Sequence, residues 1–293
     1  MLRRARYLLV LTLAACEPQV LDAVSGERAV PGPSGGLGGA ANGGDAGSAA
    51  SSASGDTGGN GGSAPAPSLR GDALIHRYTF DGTGTLVWDE KGGAHGTVVN
   101  TELDGSGTLA LAGLGSAQYV DLPDGLVSGL GDATFELWLV WRGGNVWQRA
   151  FDFGSSFLAS NGLYNGARYL FLTPESDAGT LRAAFSTAGP GGEVVLDAAG
   201  PVVAEQLAQL AVVVDDENDV FALYCDGVLK ASTAFDQSLS ALNDVNNWLG
   251  RSQYESDAEL GALLHDFRIY DAALSAEEIQ KSFEAGPTAV LEP

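Results

Sequence analysis

Positive charge is scarce in this chain: 15 Lys+Arg stand against 37 Asp+Glu, a formal net charge of −22. Nucleic acids and anionic membrane surfaces are bound through neutralising cations, so neither is an expected partner. Cysteine is scarcer still, with Cys16 and Cys225 alone, which excludes a framework of several disulfides. Three dispersed histidines, His76, His95 and His265, with no H-E-x-x-H or C-x-x-C pair, leave no zinc motif. From Leu69 onward a G-x-S-x-G nucleophile elbow is also missing. Apolar runs are short, and Tyr7 to Leu13 cannot span a bilayer.

The N-terminal region carries two patterns. Arg3, Arg4 and Arg6 precede the apolar stretch Tyr7-Leu8-Leu9-Val10-Leu11-Thr12-Leu13, the layout of a signal peptide. Leu13-Ala14-Ala15-Cys16 then resembles the lipobox of bacterial lipoproteins. Residues 1–15 are thus expected to be a lipoprotein signal peptide and Cys16 the lipidated mature N-terminus, with the lipid as the only membrane contact. That places the protein in the bacterial cell envelope, at the outer membrane or cell surface. An ordinary secretory signal with Cys16 incidental is the competing reading. Residues 16–69 are dominated by Gly, Ala and Ser, as in Gly35-Gly36-Leu37-Gly38-Gly39 and Gly58-Gly59-Asn60-Gly61-Gly62. They cannot offset an ordering cost of about 1–2 kcal/mol per residue. A disordered tether of about 40 Å end-to-end reach is expected, and the absence of a three-residue glycine period excludes collagen.

Residues 70–293 have globular composition and hold nearly all of the negative charge, 32 Asp+Glu against 11 Lys+Arg from Leu69 onward. Thr134 to Trp141 alternates Phe135, Leu137, Leu139 and Trp141 with Glu136, Trp138 and Val140, a strand with two distinct faces. Ala211–Val214 and Val220–Cys225 flank the polar run Asp215 to Asp219, predicting a hairpin with a solvated loop. Asp226-Gly227 predicts a second tight turn. With Cys16 lipidated, Cys225 is expected as a buried structural thiol. Ser275-Ala276-Glu277-Glu278 reads as a capping box opening one short helix, with Leu274 and Ile279 as its staple. Many strands and a single terminal helix predict an all-β, two-sheet antiparallel jelly-roll sandwich.

Several segments also resemble the LamG-like jelly-roll family of the concanavalin A-like lectin and glucanase superfamily. They are Tyr78-Thr79-Phe80-Asp81-Gly82 with Asp89 to Gly96; Trp147 to Gly154; Tyr169 to Pro174; Leu181 to Phe185; Leu223 to Gly227; Leu249 to Ser252; and Leu264 to Asp271. One block departs: where the family has W-x-H-V-A, this chain has Leu207-Ala208-Gln209-Leu210-Ala211. The resemblance implies a binding domain, with carbohydrate the first expected ligand and a structural Ca2+ possible in the family. An extracellular protein ligand is the alternative. For a sugar, Trp147 and Tyr164 are the preferred aromatic platforms, with Asn161, Asn165 and Arg251 as polar partners; Trp88, Trp248 and Tyr254 are further candidates. For calcium, Asp81, Asp89 and Asp266 would converge if the first and last strands pair. A glycoside hydrolase is the third class, but the paired-carboxylate E-x-D-x-x-E arrangement of the related glucanases is absent, so no catalysis is expected.

Overall fold

The structure, a computed structural model, describes residues 71–289. The expected signal peptide, Cys16 and the tether lie outside those residues. The described chain opens with strands β1 (Leu74–Tyr78), β2 (Thr83–Gly84), β3 (Leu86–Val87), β4 (Gly96–Val99), β5 (Leu103–Asp104), β6 (Leu109–Ala112) and β7 (Tyr119–Leu122). The longer strands follow: β8 (Ala133–Trp141), β9 (Phe151–Leu158), β10 (Tyr164–Thr173), β11 (Leu181–Ser186), β12 (Val194–Ala198), β13 (Leu207–Asp215), β14 (Val220–Cys225) and β15 (Val228–Ala234). The chain closes with β16 (Asn246–Leu249), β17 (Gly261–Tyr270) and helix α1 (Ala276–Ala285). The strands form two large antiparallel sheets, a jelly-roll sandwich. One is ordered β1-β17-β8-β13-β14-β15, with β6 also on β17; the other is ordered β12-β11-β10-β9-β16-β7-β4-β3.

Alternation along the strands builds the core. Phe135, Leu137, Leu139 and Trp141 of β8 meet Phe151, Phe153, Leu170 and Leu172 of the opposite sheet between the two layers. The rings of Phe151 and Phe153 stack at 4.8 Å. The hairpin expected between residues 211 and 225 forms as β13 and β14. Asp226 and Gly227 both adopt positive φ, 51° and 73°, in the turn to β15, as the Asp-Gly pair requires. Cys225 is fully buried, but its sulfur is disulfide-bonded, so the expected thiol is corrected.

The sequence departure on β13 has a structural role. Gln209 is fully buried; its amide donates to Glu136 Oε1 at 2.5 Å and to the Ile279 carbonyl at 3.3 Å, while its Oε1 accepts from the Gly227 amide at 2.9 Å. It thereby joins β8, the β14–β15 turn and α1. The helix starts at the expected capping box, in which Ser275 and Glu278 exchange side-chain and backbone hydrogen bonds. Its Ile279 packs with Ala211, Val213, Ala222 and Tyr224 on the outer face of the first sheet. Phe283 stacks on Trp138 at 5.9 Å. Among the described residues no helix is long and apolar enough to cross a membrane.

Candidate functional site

The second sheet also has an outer face, and among the described residues no α-helix covers it. Leu170 and Leu172 of β10 point into the main core, while Tyr169 and Phe171 point away from it and cluster with Ala184, Trp147 and Tyr254. The segment Arg251–Glu259, between β16 and β17, lies against this face and adjoins three depressions. One, about 290 Å³, is lined by Trp147, Arg149, Phe171, Arg182, Glu193 and Tyr254. A second, about 430 Å³, is lined by Ser156, Tyr164, Asn246, Trp248, Arg251 and Glu255. The third, about 250 Å³, lies by Tyr119 and shares Arg251, Ser252 and Glu255 with the second and Tyr254 and Asp257 with the first.

Buried charge holds this segment to the sheet. Arg149 is 2% exposed, its guanidinium 4.0 Å from the Phe171 ring centre. It pairs with Asp257 at 2.8 Å and with fully buried Asp152 at 3.4 Å, so two carboxylates share one cation. Asp152 Oδ2 also accepts from the Gln253 amide at 2.9 Å and from the Ser252 hydroxyl at 3.5 Å. Asp152 Oδ1 and Arg149 Nε are buried without a hydrogen-bond partner. Burial, only partly countered by Arg149, pushes the Asp152 carboxyl up to about 7 and raises Asp257 as well. Tyr254 donates to the Tyr169 hydroxyl at 3.1 Å, and Tyr169 donates to Glu193 at 2.6 Å; burial raises both tyrosines. Gly166 permits this seat, because a Cβ there would lie 2.6 Å from the Tyr254 ring.

Trp147 holds a left-handed φ of 64°, an outlier for a bulky residue that costs on the order of 1–3 kcal/mol. Its amide donates to the Glu175 carbonyl at 2.9 Å and its own carbonyl accepts from Arg149 at 2.8 Å. Arg149 and Arg182 each place a guanidinium 5.4 Å from its ring centre, and Arg182 is clamped by both oxygens of Asp197. Strain held in place at a surface cavity is a recurring mark of a binding site.

The expected sugar-binding residues are partly brought together. Tyr164 is 50% exposed and lines the same depression as Arg251, although it opens strand β10 rather than sitting in a loop. Trp147 lies in the adjoining depression. Asn161 is exposed and accepts from the Leu163 amide of its own loop at 3.1 Å, and Asn165 pairs with Phe157 on the hairpin. Neither lines any of the three depressions. Trp88 packs edge-on against His95 elsewhere. Sequence reasoning missed Arg149 and Arg182. A basic residue among Ala150-Phe151-Asp152-Phe153 in so acidic a chain was the available sign of a buried ion pair.

The three aspartates expected to hold calcium do not form a ligand set. Asp89 takes five donors, the amides of Arg77, Lys91, Gly92 and Ala94 and the His76 ring at 2.7 Å. Although burial opposes it, the His76 and backbone hydrogen bonds hold its carboxyl below the usual range. Asp266 lies between Arg77 at 2.8 Å and Arg268 at 2.6 Å. Asp81 is exposed and accepts from Thr79. First and last strands do pair, yet the Asp89 and Asp266 oxygens are occupied by N–H donors. Among the described residues no group of three or more His, Cys, Asp or Glu could hold a metal ion. His265, at the bulge between β17 and β8, leaves Nε2 buried without a hydrogen-bond partner. Glu255, Asp257 and Glu259 lie in a loop rather than along one strand face.

Among solved structures, the chain resembles Domain 4 of AbnA, a GH43 extracellular arabinanase from Geobacillus stearothermophilus, in complex with arabinotriose. That match has a TM-score of 0.50 at 18% identity and covers 71% of this chain and 97% of the other. Trypanosoma rangeli sialidase in complex with sialic acid matches with a TM-score of 0.53 at 12% identity, covering 72% of this chain. A leech intramolecular trans-sialidase matches at 0.51 and 21%, covering 61% of this chain. The alignments span 33% and 27% of those two enzymes, and at these identities all three show the fold alone. No curated protein matches the sequence. A family model, Laminin_G_3, matches residues 114–280, and the chain therefore belongs to the concanavalin A-like lectin/glucanases superfamily.

Proposed function

We propose that the domain is a non-catalytic glycan-binding module whose ligand lies on the outer face of the second sheet, around residues 251–259. The observation that carries this reading is the set of adjoining open depressions, in which Trp147, Tyr164 and Tyr254 stand beside guanidinium, hydroxyl, amide and carboxylate groups. Sugars need that combination, an apolar ring face to stack on and forked polar groups for hydroxyls. The structural neighbours, one of them solved with arabinotriose, support the same ligand class. Affinity electrophoresis through a panel of polysaccharides tests it: wild type is retarded by at least one, and the Trp147→Ala/Tyr164→Ala double variant runs unretarded. Wild type unretarded by every polysaccharide overturns the proposal.

A protein ligand is favoured by one separate observation. The tip of the β9–β10 hairpin exposes Phe157, Leu158, Leu163 and Tyr164 together. Capture from envelope extract that competing sugar does not reduce selects this reading.

The proposal extends to location. A lipid on Cys16 holds the module to the bacterial envelope, and the tether of residues 16–69 gives it reach. Cys16→Ser then releases the protein from membranes; unchanged partitioning refutes the anchor. A thioether at Cys16 and a disulfide drawing on that sulfur exclude each other, so non-reduced intact-mass analysis reads which one the mature chain carries.

A further inference from the structure

The depressions beside Tyr119 and Tyr164 meet at Arg251, and this junction carries information about the ligand's charge. Arg251 is exposed, with its guanidinium 4.4 Å from the Trp248 ring centre and 4.7 Å from that of Tyr119. These two rings pack edge to face at 5.9 Å and form a fixed seat for it. Among the described residues nothing accepts a hydrogen bond from it and no carboxylate forms a contact ion pair with it, Asp121 acting on it only through space while accepting from Trp248 Nε1 at 2.9 Å, whereas Arg77, Arg149, Arg182 and Arg268 are all ion-paired. Its five N–H donors are therefore held in place and unfilled.

The neighbouring acids decide what can fill them. Glu255 Oε2 accepts from the Tyr164 amide at 2.9 Å, and Glu259 Oε2 accepts from the Gly115 amide at 3.0 Å. Amides carry no net charge, so neither carboxylate is matched there by a cation. Asp257, in contrast, is balanced by Arg149. Two carboxylates without a cation in contact thus line the same depression as one guanidinium without a contact ion pair, in a molecule of net charge −22. An ionised sugar carboxylate is an acceptor only. It can take the Arg251 donors but has nothing to give to Glu255, and it adds like charge. A sugar hydroxyl both accepts and donates, so a pair of adjacent hydroxyls satisfies the guanidinium and the carboxylate together.

We infer that the Arg251 cleft selects neutral glycans, with the guanidinium donating to adjacent hydroxyl oxygens and Glu255 accepting from a hydroxyl, and that it rejects glycans bearing carboxylates. The inference rests on the glycan-binding reading and adds the ligand's charge class and a specificity residue.

The test uses the full chain and titration calorimetry with gluco-, manno- and galacto-oligosaccharides, each paired with the same oligosaccharide oxidised at C6 to the uronate. At least one neutral member binds, and its uronate counterpart binds at least tenfold more weakly. Glu255→Gln/Glu259→Gln, which removes charge with little change in volume, narrows that ratio several-fold. Arg251→Leu weakens the neutral member at least tenfold. A thermal melt equal to wild type confirms that each variant is folded. A uronate that binds as tightly as its neutral partner overturns the inference while leaving glycan binding intact, as does a ratio unchanged in the double variant. Failure of every member of both sets removes the glycan-binding reading itself.

Discussion

The two outer faces of the sandwich both carry buried charge, yet they resolve it in opposite ways. On the first sheet, fully buried Arg268 donates to Asp266, Glu136 and Ser282 and to the carbonyls of Pro287 and Ala289. Arg77 adds a second cation on Asp266, so two arginines meet two acids and helix α1 covers the group. On the second sheet, one arginine meets two acids, two polar atoms are left without partners, and the cover is a loop bordered by cavities. The first is a charge-balanced structural network, even where a depression of about 260 Å³ opens beside Arg77 and Asp266. The second keeps an imbalance where a ligand is proposed to bind. Unsatisfied buried groups are costly, and folds retain them most often where function requires them.

Breaking the balanced face has the largest expected effect. Arg268→Met removes all five donors and leaves Glu136 and Asp266 buried beside the remaining Arg77. The expected loss is about 3–5 kcal/mol in chemical denaturation, and a loss below about 1 kcal/mol would show that water reaches this network freely.

Repairing the unbalanced face has the next largest effect, with the opposite sign. Burial pushes the Asp152 carboxyl up to about 7 in the folded protein, well above the ordinary aspartate range. Between that range and about 7 the folded chain holds a proton that the unfolded chain has released. Stability therefore falls as pH rises from about 4 to about 7 and then levels. Asp152→Asn keeps the acceptor for the Gln253 amide and removes the titration. At pH 8 it should gain on the order of 2–4 kcal/mol over wild type, shrinking toward zero at pH 4. Burial raises Asp266 too, so some slope persists in the variant. A difference independent of pH would refute the assignment to Asp152.

The contrast between the faces also separates what the sequence made legible from what it hid. The alternation of β8, the 211–225 hairpin and the Ser275 capping box depend on neighbours within a few residues, and all three form as read. The balanced face was partly foreseen as well, since pairing of the first and last strands was expected, although Asp266 serves arginines there. The candidate site assembles residues from positions 119 to 259 across several strands, and no local pattern encodes that convergence. Trp147 and Tyr164 could be singled out because Gly and Asn border them. Arg149 carried a local sign of a buried ion pair, but its place in the site depends on Asp257, more than a hundred residues away.

A smaller effect is expected for the strained tryptophan. Trp147→Ala loses ring packing against Phe171 and two guanidinium contacts but leaves one residue at positive φ. Glycan affinity should fall about tenfold or more, near 1.4 kcal/mol, while stability changes by less than the Arg268→Met loss. Unchanged affinity would place the ligand in the Arg251 depressions alone.

The smallest expected effect concerns calcium. A cation at Asp81, Asp89 and Asp266 would have to displace four amides and His76 from one carboxylate and two arginines from another. Calcium offers no new backbone geometry in return, because β1 and β17 already pair there without it. Adding calcium should leave the melting temperature unchanged, and EDTA should have no effect. A ligand that binds only the folded state at a hundred times its Kd stabilises by about 2.7 kcal/mol, so a real site would be visible. A calcium-dependent rise reversed by EDTA would mean that these carboxylates exchange protein donors for metal, and the balanced face would then be a regulated one.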